Sequence, residues 1–167
     1  MNPHVERWIE FENSDGDNIR FPIYKLGPVD EGGVPKGWCA GYARRVANNL
    51  FGRNYEPNSA WNFRYEYESI PIEGLRDLRS KFKNKILTPG DLIGLYYPDS
   101  ELNGVQRDKR GRISTYTHMA VFLGENVNNL LVFGQQVTDL RGIITDIEIL
   151  REKSKFREII KDIKISK

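Results

Sequence analysis

"GWCAGYARRVANNLFG", residues 37–52, carries the chain's single cysteine, and its reading decides the fold. From Cys39 onward, Tyr42, Ala43, Val46, Ala47 and Leu50 recur at three- and four-residue steps, which gives a helix one apolar face. Arg44, Arg45, Asn48 and Asn49 fall on the other face, and Gly52 supplies a C-terminal stop. The preceding "GPVDEGGVPKG" (27–37) is a Gly/Pro loop of the kind that ends at a helix start. Cys39 therefore opens a helix, where unsatisfied N–H groups and the macrodipole favour a thiolate. Two readings of it stand at this point. It is an activated nucleophile, or it is a small buried residue on the apolar face of its own helix.

The 167 residues are read as a single domain, 1–167, with the ordinary apolar and charged content of a globular chain. A net charge of +2 is too mild to imply nucleic acid, and no apolar run is long enough to span a membrane. One Cys excludes an internal disulfide, and with only two His no metal site and no cofactor is expected. "NSDGDN" (13–18) resembles a calcium loop only superficially, because the distal Glu and the ligand spacing are missing. "MNPHVERWIEF" has no signal-peptide core, so synthesis in the cytoplasm is expected, compatible with later release or injection. A monomer is expected.

Around the helix, residues 5–25 read as a strand or two about a turn, and 73–84 as a second helix with Leu75, Leu78 and Phe82 inward. The period then changes. "TPGDLIGLYYP" (88–98) is a turn and strand, and "THMAVFLG" (117–124) and "LLVFGQQV" (130–137) are apolar on both faces, as central strands are. The polar stretch between, with Arg107, Lys109, Arg110 and Arg112, is a loop leading to His118. The tail reads as a strand near 142–150, a short charged helix near 152–160, and a last strand in "DIKIS". Helices followed by a meander of strands make an α+β domain.

A nucleophilic thiol needs a base. His4 lies in a fraying terminus, whereas His118 begins an otherwise apolar strand. "GWCAGYARRVANNLFG", "NSAWNF", "LTPGDLIGLYYP", "THMAVFLGE" and "LLVFGQQ" together resemble the NlpC/P60 and CHAP group of papain-like cysteine hydrolases, over about residues 22–137. The resemblance implies that fold, with the nucleophile at a helix start packed on an antiparallel sheet. It also implies Cys39 as nucleophile, His118 as base and a third polar residue from the next strand. It further suggests Tyr24, in "PIYKLG", as the upstream Tyr, and Trp38 as the residue flanking the nucleophile on the oxyanion side. The substrate implied is a peptide or peptidoglycan, cleaved at an amide bond. The competing readings are a catalytically inactive binding or structural protein on the same fold, and a thiol-dependent deamidase or acyltransferase.

A symmetric hairpin about "ENVN" would pair positions whose numbers sum to about 253, placing His118 opposite Gln135. Gln135 then orients the imidazole, and Gln136 replaces it if the register slips by one residue.

Overall fold

The computed structural model describes residues 4–26, 39–55, 67–96, 118–137, 141–151 and 155–161. Two strands open the chain, β1 (Val5–Glu12) and β2 (Asn18–Tyr24), paired antiparallel. Their turn is closed by Asn13, whose side-chain oxygen accepts from the N–H groups of Asp15 and Asp17. The calcium-like motif is thus an Asx turn.

Helix α1 (Cys39–Phe51) follows, then β3 (Glu68–Pro71) and α2 (Leu75–Lys83). Next come β4 (Leu92–Tyr96), β5 (His118–Glu125), β6 (Leu131–Gln136) and β7 (Arg141–Thr145). Helix α3 (Asp146–Arg151) and β8 (Lys155–Lys161) complete the described chain. The six later strands form one antiparallel sheet in the order β3-β8-β4-β5-β6-β7. The architecture is α+β with a mostly antiparallel sheet, and among the described residues no helix is long and apolar enough to cross a membrane.

Alternation along the strands divides the core into two layers. Met119, Val121, Leu123, Val132 and Leu92 join Tyr42, Ala43, Val46 and Ala47 of α1 and the β1–β2 ribbon on one face. Ala120, Phe122, Leu131, Phe133, Ile93 and Leu95 pack with Leu78 and Ile149 on the other. There Phe122 meets Phe82 and Phe133 with ring centroids 5.6 and 5.4 Å away. Truncating a buried Phe of this kind costs about 3–5 kcal/mol. Two glycines are required by shape. A Cβ on Gly90 (φ 97°) would stand 2.7 Å from Phe51 Cβ, and Gly124 (φ 131°) lies in a β-bulge.

Several expectations from sequence are corrected. Residues 146–151 are a helix and not the end of a strand, and at its start the Glu148 carboxylate reaches back to accept from the Thr145 N–H, as the Glu of a capping box does. The segment read as a charged helix is β8, inserted between β3 and β4 with Ile159 and Ile160 fully buried on opposite faces. Burial on both faces overrides its charged neighbours. Arg44, assigned to the solvent face of α1, is buried. Strand β3 was not expected; its Pro71 is tolerated because β3 is an edge strand. The final strand in "DIKIS", the "NSAWNF" stretch and the basic loop lie outside the described residues.

Candidate functional site

His118 is the first residue of β5, paired with Leu95 of β4, and is 1% exposed. Its Nε2 lies 2.9 Å from Gln135 Oε1. An amide oxygen only accepts, so with this assignment of the Gln135 amide the bonded ring nitrogen carries the proton. That tautomer makes Nδ1 the ring's proton acceptor.

The partner is the one expected, but the register that delivers it is different. At the closed end of the hairpin Glu125 pairs Leu131 and Gly124 pairs Val132; after the bulge Phe122 pairs Phe133 and Val121 pairs Gly134. Gln135 is therefore a diagonal neighbour of His118, two positions from direct opposition and reached by the length of its side chain. Without the bulge, even-numbered residues of β5 would share a face with even-numbered residues of β6, and His118 would meet Gln136. The extra residue on β5, accommodated by Gly124, changes that parity and selects Gln135.

Gln136 points to the other face and has a different task. Its Oε1 accepts from the Tyr24 N–H at 3.0 Å and its Nε2 donates to the Tyr24 C=O at 2.5 Å. The amide thus behaves as an added strand residue that ties β2 to β6. Tyr24 is buried beneath this clasp. Its ring packs edge-on to Tyr42 (5.9 Å) with the Arg45 guanidinium 5.3 Å from its centroid, and its hydroxyl accepts from Asn49 at 3.5 Å. Burial raises its pKa. Tyr24 and Gln136 are thus taken up by this clasp and by core packing, and Trp38 lies outside the described residues.

Cys39 is half-buried at the first position of α1 and packs against the α1-side core. Its sulfur faces the N–H groups of Met119, Ala40 and Cys39 itself. These favour a thiolate, but burial outweighs them and pushes the thiol above its ordinary value. The depressed thiol expected from the helix start is reversed. Burial likewise lowers His118 to about 4, against the upward pull of the Gln135 bond. At neutral pH the pair is a thiol and an uncharged imidazole.

The structure joins His118 to Gln135 directly and brings the Cys39 sulfur to Met119, the residue after His118. By alternation the imidazole is in phase with Ala120 and Phe122, whereas Cys39 belongs to the α1 layer. Both groups thus lie at the start of β5, the Cys39 sulfur against the Met119 N–H and the imidazole on Gln135. Among the described residues no group of three or more His, Cys, Asp or Glu is gathered as metal ligands. A cavity of about 600 Å³ lies elsewhere, along α2.

What sequence reasoning missed is the Gly124 bulge and the Gln136–Tyr24 clasp. The glycine two residues before the turn was the available signal for the first; a contact across 112 residues left none for the second. No family model, no characterised protein and no solved structure matches this chain.

Proposed function

We propose that the protein is a thiol hydrolase of amide bonds with the papain-like layout of the NlpC/P60 and CHAP group, acting on a peptide or peptidoglycan. The observation that carries this reading is the His118–Gln135 bond at the strand end to which the Cys39 sulfur is also brought. Cys39 Sγ attacks the carbonyl carbon as His118 Nδ1 takes the thiol proton. The Cys39 N–H then turns from the sulfur to the developing oxyanion. The imidazolium returns its proton to the leaving amine, and water hydrolyses the thioester. Gln135 Oε1 holds Nε2–H throughout, orienting the ring as the third member of a triad does. With the thiol raised and the imidazole lowered, the thiolate forms during attack and is not stored beforehand.

A second reading, a binding or structural protein that kept the scaffold, is favoured by the same raised thiol and by the packing of Cys39 against the α1-side core. One experiment separates them. Purified sacculi and a panel of peptides are incubated with the protein, and products are identified by mass spectrometry beside a Cys39→Ala control. Thiol-dependent cleavage supports the hydrolase; amine incorporation in place of hydrolysis identifies an acyltransferase. Absence of any Cys39-dependent product leaves the non-catalytic reading.

A further inference from the structure

The α2 cavity has a chemistry of its own, on the opposite side of the sheet from α1. It is lined by Leu75, Arg76, Arg79, Ser80, Lys83 and Asn84. The three cations recur at steps of three and four, so they form one stripe about 10 Å long on the helix surface. The lining contains no carboxylate, and its other polar groups, a hydroxyl and an amide, can both donate.

Arg79 is also held in place. Its Nη2 donates to Asp146 Oδ2 at 2.6 Å and its Nη1 to the Asn129 carbonyl at 3.2 Å. Asp146 is fully buried, and its Oδ1 has no hydrogen-bond partner among the described residues. A guanidinium has five N–H donors, so three remain after these two bonds. Asp146 offsets one positive charge, which leaves the stripe with a balance of about two. Arg76 and Lys83 are exposed beside this fixed centre.

The geometry points to a binding groove along α2 for a linear phosphate-bearing polymer without bases, with Arg79 as the pre-oriented anchor and Arg76 and Lys83 as flanking contacts. Phosphate is favoured over carboxylate because two of the three cations are Arg, whose planar fork matches phosphate oxygens in pairs. A polymer is favoured over a single anion because the charges are spread along the helix and not focused on one point. A nucleic acid is disfavoured because the lining offers no aromatic side chain on which a base could stack. This groove does not depend on the hydrolase reading, and its residues are not part of that site.

The test is calorimetric titration of the intact protein with linear inorganic polyphosphate at low and at physiological salt. Binding that weakens with salt is expected, with at least about a tenfold loss in Arg76→Gln/Lys83→Gln, two exposed positions whose change leaves the thermal melt unaltered. Poly-L-glutamate of equal charge number should bind several-fold more weakly. A variant with Arg107, Lys109, Arg110 and Arg112 changed to Gln should keep most of the affinity. The proposal is overturned by absence of polyphosphate binding, by undiminished binding in the double variant, or by equal affinity for poly-L-glutamate. Loss confined to the four-residue variant would also overturn it, as would single-stranded DNA binding tenfold more tightly than polyphosphate.

Discussion

The two ends of β4 hold two buried titratable groups, and they are treated in opposite ways. Asp91, just before β4, is fully buried and meets Arg53 Nη1 at 2.9 Å, the Thr88 N–H at 2.9 Å and Lys161 Nζ at 3.4 Å. His118, opposite Leu95 near the other end, is buried as deeply but is bonded to a neutral amide, and burial drives it to about 4. Burial expels a charge unless an opposite charge replaces the lost water. At Asp91 the cations arrive from beyond α1 and from β8, so the cluster ties three parts of the chain together. At His118 the bond from Gln135 is to a neutral amide, so burial keeps the group uncharged and able to accept a proton. The first end holds the fold, and in the proposed function the second transfers a proton.

Substitutions at the two ends should therefore fail in different assays. The largest effect is on turnover. Cys39→Ala and His118→Ala should each lower hydrolysis by several orders of magnitude while the protein still folds. Retention of more than about a tenth of the wild-type rate by either would remove the distinction. Asp91→Ala should instead cost about 1–3 kcal/mol of stability in urea unfolding, because it leaves the part-buried Arg53 and Lys161 cations and the Thr88 N–H without their acceptor. A loss below about 1 kcal/mol would show that the cluster is not structural.

The acid limb of stability gives a third comparison. A histidine whose folded pKa lies below its unfolded value binds fewer protons folded than unfolded between the two values. Stability should fall as pH drops from about 6.5 to about 4, by about 3 kcal/mol in all for His118. His118→Gln should flatten that slope, and an unchanged slope would assign the acid sensitivity elsewhere. The smallest effect belongs to Gln135→Ala, expected to lower turnover by about tenfold to a hundredfold, as loss of an orienting partner does elsewhere. Because the Gln135 bond raises the His118 pKa, its loss should move the acid limb of the rate profile to lower pH. A purely structural role would leave that limb in place.

Much of this contrast was legible in the sequence. The apolar period after Cys39, the alternation in β5 and β6, and the turn at "TPGD" each depend on neighbours within a few residues. The partner of His118 was legible too, although through a register that the molecule does not use. The symmetric hairpin expected about "ENVN" starts from a register one parity away from the observed turn, and the bulge restores that parity, so both turn Gln135 toward His118. What stayed hidden was set by distant contacts. β8 is a strand because β3 and β4 flank it, and its "FREIIK" carries no mark of that position. Arg44 is buried although it falls on the polar face of α1. The thiol illustrates the same point in energy: the helix start favours a thiolate, but desolvation by the surrounding layer outweighs it.

The protonation state of His118 tests the role proposed for this end of β4 most directly. Nitrogen-15 NMR of the imidazole, followed from pH 8 to pH 3.5, reports which ring nitrogen carries the proton and where the ring titrates. A neutral Nε2–H tautomer should persist across neutral pH, with the imidazolium appearing only near pH 4. A dominant Nδ1–H tautomer, or titration near the ordinary value of about 6.5, would contradict it.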